Sequence, residues 1–167
     1  MHFLRTTILP LALSFVFFIG CKPADTTRHE KDKRIENKAV VLKLYQAIND
    51  KNWTAARSFV GDNYKHYYVK GPGFESTSWS GFEQGYKSSE KAFPDWQLSP
   101  VKVIAEGDFV SVLLTGAGTH TGDFAGIAAT NKKVAMQIMI IHEVRNGKII
   151  ADWEMSNPQS FINQLKP

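Results

Sequence analysis

The chain has 167 residues, of which 43% are hydrophobic and 22% charged, so it is long enough for one domain with a substantial core. Its net charge of +4 is small, with 20 basic and 16 acidic residues scattered along the sequence. We find no basic run interleaved with aromatic residues, the pattern of a nucleic-acid groove. A nucleic-acid partner is therefore not expected.

Residues 1–20 have the pattern of an export signal. Arg5 supplies a short positive start, and residues 8–20 form an uncharged apolar run that is too short to span a bilayer. The only cysteine, Cys21, follows directly, so no disulfide can form within the chain. The letters FIGC at residues 18–21 resemble a bacterial lipobox.

This pattern predicts cleavage before Cys21 and a lipid anchor on its thiol, with an unmodified buried cysteine as the alternative. We expect an exported, membrane-anchored lipoprotein, at the outer membrane or the cell surface. Residues 21–34 are highly charged and poor in apolar side chains, so we expect a flexible tether. The folded domain is then predicted to span residues 35–167.

Helical patterns dominate the first half of this domain. Apolar residues recur at three- and four-residue steps over residues 35–50, and a second, short helix is predicted over 53–60. Residues 64–69 are rich in aromatic side chains and indicate a short strand or a loop. A third helix is predicted from an N-cap at Ser80 to about Ala92.

The chain changes to strand patterns after residue 97. Residues 98–105 and 109–119 are predicted strands, residues 131–157 a long hairpin, and residues 158–165 a short terminal helix. Helices followed by a mainly antiparallel sheet predict an α+β fold with the helices packed on one face.

The hairpin carries most of the side chains suited to chemistry. Asn146-Gly147 predicts a two-residue type I′ turn, which pairs His142 with Ala151 and Ile140 with Trp153. Side-chain alternation then divides the hairpin into two faces. The first carries Met136, Ile138, Ile140, His142, Val144, Ile149, Ala151, Trp153 and Met155. The second carries Gln137, Met139, Ile141, Glu143, Ile150, Asp152, Glu154 and Ser156.

Neither face of the hairpin is wholly polar, so we expect each face to be covered, by helices, by a ligand cavity or by a partner subunit. We expect the floor of a ligand cavity on one side, and a homodimer contact is one alternative for the other. An extra residue in one strand would reverse the direction of Glu154, and the sequence leaves this open.

The order of several short motifs resembles a known family. The segments DNYKHY, KAFPDW, IAEGDFV, GTHTGDFAG and NGKIIADWEMSN lie in sequence within residues 36–165. They are similar to the SnoaL-like polyketide cyclase and ester cyclase group of the nuclear-transport-factor-2-like superfamily. The resemblance implies a cone-shaped half-barrel, in which a curved, mainly antiparallel sheet is wrapped by three N-terminal helices.

The resemblance also implies a site without a cofactor. The aspartate that these cyclases use as general acid/base falls on Glu154, and a cyclase histidine falls on Ile140, two residues before His142. We take Glu154 and His142 as candidate catalytic residues. The candidate ligand contacts are His66, His120, Gln137, Trp153 and Trp79. Ordinary packing is the structural alternative for the histidines and tryptophans.

Sequence motifs for other chemistry are absent. There is no HExxH or Cys/His cluster, phosphate-binding glycine loop or nucleophile elbow, so neither a metal nor another cofactor is expected. Two hypotheses follow. One is acid/base cyclisation or isomerisation of a small hydrophobic carbonyl compound, and the other is a non-catalytic, lipid-anchored module that binds a ligand or a protein.

Overall fold

The computed structural model describes residues 26–166. These residues form four helices and one six-stranded sheet. The helices are α1 (Thr26–Asn49), α2 (Trp53–Ser58), α3 (Trp79–Ser89) and α4 (Pro158–Leu165). The strands are β1 (Val60–Lys70), β2 (Gly73–Thr77), β3 (Gln97–Glu106), β4 (Phe109–Thr119), β5 (Lys133–Arg145) and β6 (Lys148–Ser156).

The strands form a curved, open sheet in the order β2-β1-β6-β5-β4-β3. All neighbouring strands are antiparallel except β1 and β6, which run parallel. The predicted α+β fold is thus confirmed, with a mixed sheet. One detail differs: β1 and β2 form a hairpin before α3, and Gly71, with φ at +60°, makes the turn between them.

Helix α1 begins earlier than predicted. The charged residues expected to form a tether up to Arg34 are helical from Thr26 onward. Tertiary contacts hold this extension, because Lys33 Nζ lies 2.6 Å from Asp108 Oδ1 and Asn37 donates to the Gly107 carbonyl. Residues 1–25, with the predicted signal peptide and Cys21, lie outside the described residues. Among those described, no helix combines the length and apolar character needed to cross a membrane.

The core lies between α1 and the concave face of the sheet. Val41, Leu44, Tyr45 and Ile48 of α1 follow the predicted helical spacing and are all buried. They belong to one cluster with Val110, Val112 and Leu114 of β4 and with Ile138 and Ile140 of β5. Helix α3 closes a second side of this space. It begins at Trp79, one residue before the predicted cap, because Ser78 accepts the N–H of Gly81.

The β5–β6 hairpin has the predicted turn and an altered register. Asn146 and Gly147 have φ values of 51° and 70°, as a type I′ turn requires. The expected pairing holds at Val144 and Ile149, but Ile150 is then an extra residue, and Glu143 pairs with Ala151. Beyond this bulge, the predicted faces of β6 are exchanged.

The predicted pairs are therefore wrong beyond the bulge. His142 pairs with Asp152 instead of Ala151, and Ile140 pairs with Glu154 instead of Trp153. The carboxylates of β6 consequently share the concave face with the buried residues of β5. The bulge determines which side chains reach the interior.

Asn49 joins the end of α1 to the start of β3, and its replacement tests this connection. Its side-chain amide donates to the Leu98 carbonyl at 2.9 Å and accepts the Leu98 N–H at 2.8 Å. Asn49→Ala leaves both backbone groups unpaired, so we expect the free energy of unfolding to fall by about 1–3 kcal/mol. Urea denaturation measures this. The control Gln46→Ala removes only an exposed contact with Asp50, the residue directly after α1, and a similar loss there would contradict the assignment.

Candidate active site

A cavity of about 750 Å³ opens between the concave face of the sheet, α1, α3 and α4. Most of its wall is apolar and aromatic, including Leu44, Phe82, Phe93, Trp96, Leu114 and Phe161. One group of polar side chains lies on β1, β5 and β6, where His66, His142, Asp152, Glu154 and Ser156 contribute to the lining. Such a cavity suits a small apolar ligand with a few polar atoms.

Asp152 is the centre of the polar group. Its side chain is almost fully buried, yet its carboxylate has several partners. The Tyr64 hydroxyl donates to Oδ2 at 2.6 Å, and His66 Nδ1 lies 2.6 Å from Oδ1. His142 Nδ1 is 3.5 Å from Oδ2. The sheet register explains why these side chains lie close together, since Asp152 pairs directly with His142 on β5 and with His66 on β1.

These partners keep Asp152 ionised. Burial alone would raise the pKa of this carboxyl, because a charge is poorly solvated in the protein interior. The hydrogen bonds and charges of His142 and His66 oppose burial and lower the pKa to about 2. Asp152 is therefore a fixed negative charge, suited to orienting a histidine and unsuited to exchanging protons near neutral pH.

His66 and Glu154 form the pair suited to proton transfer. Because Asp152 holds Nδ1 of His66, the other ring nitrogen, Nε2, is directed towards Glu154, whose Oε2 lies 3.8 Å away. Glu154 also accepts a hydrogen bond from Ser156 at 3.1 Å. The Glu154 side chain is 24% exposed, whereas that of Asp152 is 5% exposed, so Glu154 is the more accessible carboxylate.

The two groups of this pair have altered acidities. Burial raises the pKa of Glu154, while the His66 charge and the Ser156 hydrogen bond only partly oppose it. Burial lowers the pKa of His66, but its hydrogen bond to Asp152 and the charges of Asp152 and Glu154 outweigh burial and raise it overall. A carboxyl and an imidazole with raised pKa values can serve as base and acid near neutral pH.

His142 lies between Asp152 and Tyr45 and supports the position of Asp152. Its Nε2 lies 2.5 Å from the Tyr45 hydroxyl, and the ring packs edge-on against Tyr45. Burial, followed by the charges of Asp152 and Glu154, raises the pKa of Tyr45, so its hydroxyl keeps its proton. A Tyr45 hydroxyl that donates to Nε2 leaves the Nδ1 proton of His142 facing Asp152. His142 therefore helps to position Asp152: its Nε2 is hydrogen-bonded to Tyr45, while its Nδ1 lies near Asp152 without forming a hydrogen bond.

Two predicted ligand contacts lie on the opposite face of the sheet. Gln137 is exposed there and bonds with Thr115, because odd-numbered residues of β5 point away from the cavity. The bulge turns Trp153 to the same side, where it stacks on Tyr67 with ring centroids 5.3 Å apart. Their prediction as cavity residues is corrected for this reason.

The other two predicted contacts lie behind the cavity wall. Trp79 is buried against Tyr64 and Phe82, with ring centroids 5.9 and 5.5 Å away. His120 is fully buried, stacks on Phe93 and bonds Thr130 through Nδ1. Both residues support side chains that line the cavity and do not line it themselves. Of the predicted contacts, His66 lines the cavity.

Asp152 and Tyr64 were not predicted as site residues. A signal was present for Asp152, because it shares a predicted strand face with Glu154. Tyr64 lies far from both in the sequence and only the parallel β1–β6 pairing brings it near. Within residues 26–166, no group of three or more His, Cys, Asp or Glu side chains has an arrangement that could hold a metal ion.

Replacing Asp152 tests its central position in the site, because it should change both the free energy of unfolding and the dependence of that free energy on pH. Since the pKa of Asp152 is about 2 and its ordinary value is 3.8, its ionisation stabilises the fold above about pH 4, and this contribution is lost as the pH falls towards 2. We expect Asp152→Asn to lower the free energy of unfolding by about 3–5 kcal/mol at neutral pH. Urea titrations over an acidic pH series measure both effects, and the variant should lose less stability on acidification than the wild type.

The matched control for this experiment is Asp62→Asn. Asp62 is fully exposed, and Arg57 is its ion-pair partner within residues 26–166. We expect a change within about 0.5 kcal/mol and an unaltered acid response. Equal effects of the two substitutions would contradict the central position of Asp152.

Comparisons with known proteins support the fold described above. The profile of the SnoaL-like polyketide cyclase family matches residues 39–165. AclR, a hydroxylase candidate from Streptomyces galilaeus, is 25% identical, with a TM-score of 0.72 over 79% of this chain and 82% of its own. IdmH, a polyketide cyclase candidate from Streptomyces antibioticus, is 21% identical, with a TM-score of 0.70 over 77% of this chain and 97% of its own.

A third structure, a polyketide cyclase candidate from Xanthomonas campestris pv. campestris, is 22% identical, with a TM-score of 0.70 over 80% of this chain and 98% of its own. Comparison with curated protein sequences gives no significant match. The family profile covers most of the chain, including every polar residue of the cavity described above. The chain belongs to the SnoaL-like polyketide cyclase family.

Proposed function

We propose that the protein is an acid/base enzyme that needs no cofactor and acts on a small, mainly apolar carbonyl compound. The observation that carries this proposal is the His66–Glu154 pair on the wall of an apolar cavity, held in place by the buried charge of Asp152. The family profile and the likeness to cyclase candidates support a reaction at a carbonyl group.

We propose a separate role for each group. The carboxylate of Glu154 removes a proton from the carbon next to a carbonyl group, while Nε2–H of His66 donates to the carbonyl oxygen and stabilises its developing charge. The resulting enol attacks a second carbonyl in the ligand to close a ring, and the new alkoxide oxygen takes the proton from Glu154; alternatively, the enol takes that proton back from Glu154 at another carbon of a conjugated system. Asp152 keeps the Nδ1 proton of His66 in place throughout.

This assignment changes one role from the sequence analysis. His142 was the expected catalytic histidine, and His120 was an expected ligand contact. His142 is engaged by Tyr45 and Asp152, and His120 lies behind Phe93. His66 is the histidine whose Nε2 is directed at Glu154, so we propose His66 for this role.

A non-catalytic binding module is the second candidate. The same cavity can hold an apolar ligand without reaction, and its aromatic walls favour such binding. The two candidates differ in one measurable property, which is the transfer of a proton to or from the bound ligand.

Deuterium exchange at carbon separates the two candidates. β-Tetralone is an apolar ketone with exchangeable protons beside its carbonyl group, and NMR in deuterated water follows their loss. We expect the wild-type protein to accelerate exchange, and Glu154→Gln to reduce the rate by about a hundredfold or more. His66→Gln should also slow exchange. Binding of β-tetralone without accelerated exchange would favour the non-catalytic module.

The pH profile and a control variant complete this test. The rate should rise as Glu154 loses its proton above its ordinary pKa of 4.5 and fall as His66 loses its proton above 6.5, because both pKa values are raised. Glu143→Gln is the matched control, since Glu143 lies on the other face of the sheet and pairs with Arg145. Equal losses in Glu143→Gln and Glu154→Gln would refute the assigned base.

We also propose that the mature protein is anchored to a membrane through a lipid on Cys21. The support is the apolar run at residues 8–20 and the lipobox-like letters FIGC that follow. An anchor with several acyl chains would hold the domain stably at the membrane.

Labelling with a radioactive fatty acid in a bacterial host tests the anchor. We expect wild-type protein to carry the label and Cys21→Ser to carry none, because the thiol is the attachment site. Ser14→Ala changes the apolar run without touching the thiol and should remain labelled. Label on Cys21→Ser, or its absence from the wild type, would overturn the proposal.

A further inference from the structure

Helix α3 brings two unpaired polar groups to the cavity. Tyr86 lies on α3, Glu90 is the residue that caps its C-terminus one helical turn further on, and both line the cavity. The Tyr86 hydroxyl and Glu90 Oε1 are shielded from solvent and have no hydrogen-bond partner among the described residues. A buried polar group without a partner costs about 1–3 kcal/mol, so two neighbouring ones call for a functional explanation.

Neighbouring contacts hold the Tyr86 ring in this position. Trp53 packs edge-on against it at 5.4 Å between centroids, and Phe82 lies 6.0 Å away. The nearby cation is committed elsewhere, because Lys87 pairs with Glu83 at 2.5 Å and lies over the Trp53 ring. None of these ring packings or ion pairs gives the Tyr86 hydroxyl or Glu90 Oε1 a hydrogen-bond partner.

The electrostatic surroundings make Tyr86 a donor. Burial, followed by the charges of Glu90 and Glu154, raises the pKa of Tyr86, so the hydroxyl retains its proton. The influence of Glu154 also indicates that the phenol oxygen lies within electrostatic range of the His66–Glu154 pair. The wall of the cavity opposite the sheet thus offers a hydrogen-bond donor at Tyr86 and an acceptor at Glu90.

We propose that Tyr86 and Glu90 form a subsite for a hydroxyl group of the ligand. A hydroxyl is the simplest group that accepts from Tyr86 and donates to Glu90 at the same time. A carbonyl would leave Glu90 unpaired, an ammonium would leave the Tyr86 hydroxyl proton without an acceptor, and a carboxylate would be repelled by both Glu90 and Glu154. The ligand class is therefore an uncharged alcohol or phenol with an apolar body.

This inference rests on the proposed function and adds to it. A ligand held by its hydroxyl at α3 would have a second fixed point besides the carbonyl oxygen at His66. Two fixed points orient the carbon that loses its proton towards Glu154. Tyr86 and Glu90 are accordingly binding residues, and the proton is moved by Glu154 and His66.

A pair of matched probes tests the subsite. β-Naphthol and β-methylnaphthalene have similar size and shape, and only the first carries a hydroxyl. Calorimetry or the intrinsic fluorescence of the protein gives the dissociation constant of each probe. We expect wild-type protein to prefer β-naphthol by about tenfold, the value of one good hydrogen bond. Tyr86→Phe and Glu90→Gln should each reduce this preference about fivefold while leaving β-methylnaphthalene affinity within about twofold.

Two controls remove indirect effects. Tyr67→Phe loses a tyrosine hydroxyl on the opposite face of the sheet, and Glu83→Gln loses a carboxylate of α3 that pairs with Lys87. Both should keep the preference for β-naphthol. Far-ultraviolet circular dichroism and the unfolding midpoint should show that all four variants remain folded.

The outcomes distinguish the subsite from the proposed chemistry. Equal wild-type affinities for the two probes, failure of both to bind, or a preference that survives both Tyr86→Phe and Glu90→Gln would overturn the subsite. Neither probe has a proton beside a carbonyl group, so these results say nothing against Glu154 as a base. Conversely, a hydroxyl preference that remains in Glu154→Gln, together with no β-tetralone exchange in the wild type, would support the subsite and reject the chemistry.

Discussion

The buried charge of Asp152 is the interaction on which the arrangement of the site depends. An isolated carboxylate in this position would be strongly destabilising, because it has lost its hydration. Tyr64, His66 and His142 compensate for that loss, and His142 is in turn bonded to Tyr45 of α1. One charge thus connects α1 with β1, β5 and β6. It also determines which nitrogen of His66 is left for Glu154.

The bulge at Ile150 is the backbone feature that makes this possible. Without it, Asp152 and Glu154 would point away from the cavity, and Trp153 would point into it. Gly61 of β1 lies beside the bulge, where an added Cβ would come within 3.3 Å of the Ile150 side chain. The register of β6 shifts at this point against both of its neighbours, β1 and β5, so the bulge affects the pairing on both sides of the strand.

Much of the fold follows from local patterns, whereas the site depends on long-range geometry. The helical spacing of Val41, Leu44 and Ile48 and the Asn146-Gly147 turn were sufficient to predict α1 and the β5–β6 hairpin. The extra residue at Ile150 has no local signature, since isoleucine is an ordinary strand residue. The faces of Glu154 and Trp153 were therefore predicted the wrong way round, and the role of Asp152 was missed.

The protonation of His66 tests the central claim most directly, because Asp152 is proposed to orient this ring and Glu154 is proposed to act beside it. Heteronuclear NMR of its two ring nitrogens across a pH series reports which nitrogen carries a proton and at what pH the ring titrates. We predict a proton on Nδ1 throughout and a titration of Nε2 with a pKa above 6.5. A neutral ring with its proton on Nε2, or a pKa below 6.5, would contradict the account.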